Sequence, residues 1–241
     1  MTLAIVDERM AECEKRRLTL EGFRVIEAPA SKRLPAPLSS HPDMLLFADG
    51  KTIISSCAYM DEHPYFFEDL SRLMPGLKLI MTGEEFSDKY PRDAIFNALV
   101  IGKNIFLKTD TASHAVLAYA NERGLNTVSV RQGYPACVTL ALTEKLAVTA
   151  DEGMANAISG AGISVELIKN GGVSLSPYEY GFIGGAAGVY KNKVYFIGNL
   201  NTHPDCQKIE DAIRSAGLVP VSLSDLPLRD FGRIIFIEDK V

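Results

Sequence analysis

Arg233-Ile234-Ile235-Phe236-Ile237-Glu238-Asp239 stands at one end of the chain and Thr2-Leu3-Ala4-Ile5-Val6-Asp7-Glu8 at the other. Each is a short apolar run closed by carboxylates, and each reads as a strand with no partner next to it in sequence. Taken together they are two arms of one hairpin, with Glu238–Val241 and Met1-Thr2 meeting where its turn would lie. Four intact hairpins lie between them. Residues 44–56 turn at Asp49-Gly50, 94–110 at Gly102-Lys103-Asn104, 137–151 near Thr143-Glu144-Lys145, and 183–199 at Lys191-Asn192-Lys193.

A second motif recurs with the hairpins: a helical stretch, a glycine, then a short apolar strand. It appears at Gly22 (EGFRVIEA), Gly76 (PGLKLIMT), Gly124 (RGLNTVSV), Gly162 (AGISVELI) and Gly217 (AGLVPVSL). A glycine just past a helix suits the left-handed C-terminal position, where a Cβ is strained. Hairpin, helix, glycine and strand make one ββαβ unit. Five such units consume the whole chain, so residues 1–241 read as a single domain. A linear solenoid has no reason to divide a unit between its two ends, whereas a closed ring does. The expected fold is α/β: a five-bladed ring, or α/β propeller, of ββαβ units around a central channel, with the N- and C-terminal strands sharing one blade. The competing arrangement is a doubly wound sheet with accidental repetition.

The 241 residues are 47% hydrophobic and 23% charged, with a net charge of −5. That is the composition of an ordinary globular chain and excludes disorder, collagen and coiled coil as global descriptions. No apolar run is long enough to span a membrane, and no signal-peptide pattern opens the chain, so the expected location is the cytoplasm. The acidic balance argues against nucleic acid as a partner. The four cysteines, Cys13, Cys57, Cys137 and Cys206, form no CxxC pair, so neither a zinc site nor a disulfide framework is implied. Gly184-Gly185-Ala186-Ala187-Gly188 matches no nucleotide-binding fingerprint, and no cofactor motif stands out.

A ring of five ββαβ units resembles the pentein, or guanidino-group-modifying, superfamily. Its members include arginine deiminase, agmatine deiminase and dimethylarginine dimethylaminohydrolase. Tyr90-Pro91-Arg92-Asp93 looks like that family's Arg-Asp motif, which would make Asp93 a carboxylate that grips a cationic substrate. The family's His-x-Asp motif and C-terminal nucleophilic cysteine have no counterpart here: the final strand has no cysteine, and Tyr134-Pro135-Ala136-Cys137 stands where the former would sit. The chain therefore resembles a bacterial branch of the superfamily that lacks the standard C-terminal catalytic cysteine.

The inner strands are expected to begin at His41-Pro42-Asp43-Met44, Tyr90-Pro91-Arg92-Asp93, Tyr134-Pro135-Ala136-Cys137 and Tyr180-Gly181-Phe182-Ile183, so that their first residues converge on the channel. Cys137 is the candidate nucleophile, against the alternative of a small buried hydrophobe. His41 is the candidate general base. Asp43 and Asp93 would hold a cationic group, and Asn97 would add a polar group on the same strand face as Asp93. Asp7, Asp110 and Asp151 follow second strands and read as helix N-caps, Asp151 also as a ligand contact. Gly184 and Gly185 mark either a ligand passing close by or a tight meeting of blades. His63, His114 and His203 read as surface or capping groups, and Cys206 as peripheral. The expected function is small-molecule binding with thiol-dependent hydrolysis of a guanidine- or amidine-like C–N bond. The alternative is a non-catalytic binding or structural protein of the same fold.

Overall fold

The structure, a computed structural model, describes residues 1–238. In chain order the first unit has β1 (Thr2–Asp7), α1 (Glu12–Leu20) and β2 (Arg24–Ala28). The second has α2 (Pro42–Leu45), β3 (Leu46–Asp49), β4 (Thr52–Ser56), α3 (Cys57–Glu62), α4 (Pro64–Leu73) and β5 (Lys78–Thr82). The third has β6 (Leu99–Ile101), β7 (Asn104–Leu107), α5 (His114–Glu122) and β8 (Asn126–Ser129). The fourth has α6 (Pro135–Val138), β9 (Thr139–Thr143), β10 (Leu146–Thr149), α7 (Glu152–Gly160) and β11 (Ser164–Leu167). The fifth has β12 (Ala187–Tyr190), β13 (Lys193–Phe196), α8 (Cys206–Ser215) and β14 (Val219–Ser222), and β15 (Ile235–Glu238) follows it.

These strands form five sheets of three. In every sheet the middle strand pairs antiparallel with one neighbour and parallel, across a helix, with the other. The divided hairpin is one of them: β1 lies antiparallel to β15, from Thr2 opposite Glu238 to Ile5 opposite Ile235. The turn expected to close it involves residues 239–241, which lie outside the described residues.

The middle strands are buried on both faces, and this explains their continuous apolar runs. In β1, Leu3 and Ile5 join a core shared with the second and third sheets, while Ala4 and Val6 join one shared with the fifth. Phe106 of β7 packs with Ala147 of β10 in a third core. Val148 of β10 packs with Val194 and Phe196 of β13 in a fourth. The first, third, fourth and fifth sheets thus each have a different hydrophobic cluster on either side, while Ile53 and Ile54, on opposite faces of β4, both join the first core.

Several expectations need correction. Gly22, Gly124, Gly162 and Gly217 have positive φ, but Gly76 does not; there Pro75 already prevents α4 from continuing, and no left-handed residue is needed. The Pro-containing tetrapeptides are not strand starts. Residues 42–45 and 135–138 are single helical turns, and Arg92–Ala94 is a 3-10 turn. Proline's fixed φ serves the first turn of a helix as well as the start of a strand. Asp93 and Asn97 therefore share no strand face. Asp110 pairs with Lys108 at 2.8 Å and Ser113 caps α5 instead, while Asp7 is tied up by Arg9 and Ser40. His203 is buried rather than on the surface, its Nδ1 accepting the Asp205 backbone N–H at 3.0 Å. Among the described residues no helix is long and apolar enough to cross a membrane.

Candidate functional site

The one-turn helices α2 and α6 deliver Asp43 and Cys137 to a common point. The Cys137 thiol donates to Asp43 Oδ2 at 2.8 Å. Asn97, in the segment leading to β6, ties the two turns together. Its Nδ2 donates to the Asp43 carbonyl and to Cys137 Sγ, both at 3.2 Å, and its Oδ1 accepts from Ala136 N at 2.8 Å. All three side chains are buried. Burial pushes the Asp43 carboxyl up, against the thiol's hydrogen bond. Burial, reinforced by the Asp43 charge, pushes the Cys137 thiol well up. The pair therefore favours a shared proton over two ionised groups.

His41 precedes α2 and is fully buried between two carboxylates. Its Nε2 is 3.8 Å from Asp7 Oδ2, and its Nδ1 is 3.9 Å from Asp230 Oδ1. Among the described residues neither ring nitrogen has a hydrogen-bond partner. Burial lowers its pKa, opposed by Asp230 and Asp7, so the neutral ring is favoured. Gly232, at φ +65°, lets the chain pass where a side chain would strike the His41 ring. Asp230 is held by the N–H groups of Phe182 at 2.9 Å and Gly232 at 3.0 Å, and burial pushes its carboxyl up against the nearby imidazole.

His41, Cys137 and Asp230 line one cavity of about 330 Å³. Tyr134 lies on its wall. Tyr178, Glu179, Tyr180 and Phe182, from the long connection between β11 and β12, complete it. A polar, acidic floor under several aromatic rings is an environment that suits a small flat cation.

The remaining candidates lie elsewhere. Asp93 accepts the Tyr134 hydroxyl at 2.6 Å, and burial pushes its carboxyl up despite that bond; it touches the cavity only through that ring. Asp151 caps α7, accepting from Met154 N, and also accepts from Gln132 Nε2, each at 2.7 Å. It lines a different cavity of about 420 Å³ beside Lys169 and His203. Gly184 and Gly185 mark a tight meeting of segments. A Cβ on Gly184 would lie 2.5 Å from the Ala136 carbonyl and 2.6 Å from that of Cys137, and one on Gly185 would overlap Asp230. Cys13 and Cys57 are exposed and Cys206 half-buried. Among the described residues no cluster of three or more His, Cys, Asp or Glu suits a metal ion.

Asp230 was absent from the candidates, as was Tyr178, whereas Tyr180 headed one of the segments expected to converge on the channel. A signal for Asp230 exists: Asp230-Phe231-Gly232 precedes β15 as His41-Pro42-Asp43 precedes β3. No comparable signal marks Tyr178.

A model described as "Family of unknown function (DUF6873)" matches residues 5–235. Among curated proteins none matches. Solved structures do. Dimethylarginine dimethylaminohydrolase of Pseudomonas aeruginosa, solved with citrulline, is 11% identical with a TM-score of 0.59, covering 93% of this chain and 91% of that one. SxtG, an amidinotransferase of Microseira wollei, is 10% identical with a TM-score of 0.57, covering 92% and 88%. The N-terminal domain of the cyanobacterial arginine dihydrolase ArgZ, solved with its substrate, is 11% identical with a TM-score of 0.58, covering 93% and 92%. Likeness at this identity speaks for the fold, which is that of the pentein superfamily.

Proposed function

The chain belongs to the DUF6873 family, and from that footing we propose that it is a small-molecule-binding pentein whose cavity takes a guanidine- or amidine-like cation, with Cys137 as the thiol that reacts with it. The observation that carries this is the meeting of Cys137, His41 and Asp230 in one aromatic-walled cavity. The guanidino chemistry of the structural neighbours supports the same class of ligand. The hydrophobic clusters, which link sheets one to three, three to four, four to five and five back to one, support a single domain closed as a five-bladed α/β propeller with the site at its centre.

In this reading Asp230 faces the cation, and Asn97 holds Cys137 against Asp43. Asp93 fixes the Tyr134 ring, and Gly184 and Gly185 give the room in which Asp230 and the Cys137 turn pack. Cys137 passes its proton to Asp43 as its sulfur attacks the central carbon. Asp43 returns that proton to the departing nitrogen, and the C–N bond breaks. Neutral His41 takes a proton from water, whose oxygen displaces the sulfur, and passes it to the released amine. The new hydroxyl's proton restores the thiol. In sum, a guanidinium and water give a urea and an ammonium ion.

The test is thermal denaturation with agmatine, arginine and acetamidine, alongside assays for the ureido product and released amine. One of these cations is expected to raise the melting temperature of the wild type and of Cys137→Ser. Turnover is expected only in the wild type, and Asp230→Asn loses the stabilisation. No shift with any cation overturns the ligand class. A shift without turnover favours non-catalytic binding. That second reading rests on the thiol's burial and hydrogen bond to Asp43, and on Ile235–Glu238 containing no cysteine.

A further inference from the structure

A second cavity of about 120 Å³ shares no lining residue with the first, and the Asp43–Cys137 hydrogen bond separates them. Phe47, Phe96, Ile235 and Phe236 are among its lining residues, and the charged ones among the described residues are Asp43 and Arg233. We infer that this cavity is a site for a small planar oxyanion, a carboxylate of one or two carbons, nitrate or bicarbonate, held by the Arg233 guanidinium. The site goes beyond the cation cavity and does not depend on any chemistry there.

Three observations lead to it. Among the described residues Arg233 makes no side-chain hydrogen bond or ion pair within 4.0 Å, and its Nε is buried without a partner. A buried guanidinium N–H without a partner calls for an acceptor, and the planar fork matches a planar oxyanion. Second, Arg233 holds φ at +59°. Among the described residues the one other non-glycine at positive φ, Lys191, sits in a two-residue hairpin turn that requires it. Arg233 is in no such turn. Its backbone N–H is fixed on Gly185 O at 2.8 Å, and the strained conformation sends this side chain to the cavity where a glycine would have been easier. Third, Asp43 Oδ1, in the same lining, is buried with no hydrogen-bond partner. Burial pushes this carboxyl up against the nearby Arg233 charge and the thiol's hydrogen bond, which lessens its repulsion of an oxyanion. The cavity, at about 120 Å³, has room for formate, acetate or nitrate.

Thermal shift and calorimetric titration with sodium formate and sodium nitrate, against sodium chloride at matched ionic strength, test the site. The wild type is expected to show saturable stabilisation by formate and nitrate that chloride does not reproduce. Arg233→Gly and Arg233→Asn both tolerate positive φ, so their circular dichroism stays that of the wild type while oxyanion affinity falls at least tenfold. The inference is overturned by an absent response in the wild type, an equal one to chloride, or an undiminished one in the Arg233 variants. None of these outcomes depends on whether the first cavity binds a guanidinium.

Discussion

Gly185→Ala tests how Asp230 is placed. Gly185 N–H donates to the Cys137 carbonyl at 2.9 Å, so this backbone is fixed against the very turn that carries the thiol. A Cβ there would lie 2.8 Å from Asp230 Oδ2 and closer still to Cγ and Oδ1. Ordinary contact needs 3.4 Å or more, and Asp230 has nowhere to retreat without leaving the N–H groups of Phe182 and Gly232. Overpacking of this kind costs about 1–3 kcal/mol, and each buried donor left without its acceptor about 1–3 kcal/mol. A total of about 3–5 kcal/mol is expected, with part of the loss relieved by backbone movement. At roughly 2–4 °C per kcal/mol for a chain of this size, the melting temperature falls by on the order of 10 °C. The assay is a double-mutant cycle with Asp230→Ala, read by thermal or urea denaturation. With the carboxylate gone, the three atoms nearest to an alanine Cβ at 185 are removed, so the double variant is expected to be no less stable than Asp230→Ala alone. Additive costs, within about 0.5 kcal/mol, or a Gly185→Ala variant that melts like the wild type, would refute the packing argument.

Glu84 carries the acid limb of stability. Burial raises its pKa, but hydrogen bonds from Ser113, from the His114 backbone and ring, and from the Ala115 backbone outweigh burial and hold it at about 2, against 4.5 unfolded. Its contribution is complete above pH 4.5 and lost as pH falls toward 2, so Glu84→Gln flattens the melting-temperature profile over that window. Asp151→Ala removes the α7 cap and costs about 1 kcal/mol by urea denaturation, while any cation response of the first cavity is unchanged. Tyr134→Phe leaves Asp93 without its hydroxyl donor and costs about 1–3 kcal/mol. Asp93→Asn keeps an acceptor for that hydroxyl and is expected to melt within about 1 kcal/mol of the wild type.

The fold was legible because its units repeat. A hairpin turn such as Asp49-Gly50 and a helix-ending glycine such as Gly124 are local signals with steric causes, and each recurs often enough that one failure, Gly76, leaves the pattern standing. The divided hairpin was legible for another reason. β1, a buried middle strand, and β15, at the edge of the same sheet, both carry apolar side chains on two faces, and such a run needs a partner that neither sequence neighbourhood supplies.

The site was legible only where chemistry and position coincided. His41, Asp43 and Cys137 stood out as reactive side chains beside prolines, and the structure brings Asp43 and Cys137 into one hydrogen bond. The logic that chose them was wrong in detail, because a proline at position one suits a helical turn as readily as a strand. A helical turn rotates successive side chains by roughly 100° instead of alternating them. That rotation explains why His41 lines the first cavity and Asp43 the second, although two residues apart on a strand they would have shared a face. It also explains the contacts of Asn97, whose amide can reach both turns only because each backbone coils toward it. Asp230 and Tyr178 were hidden for a different reason: long connections carry no periodicity, and nothing in Tyr178-Glu179 alone says which wall it forms. What the short helical turns add is a partition. Because they coil, one carboxylate, that of Asp43, meets the thiol on one side and the Arg233 cavity on the other.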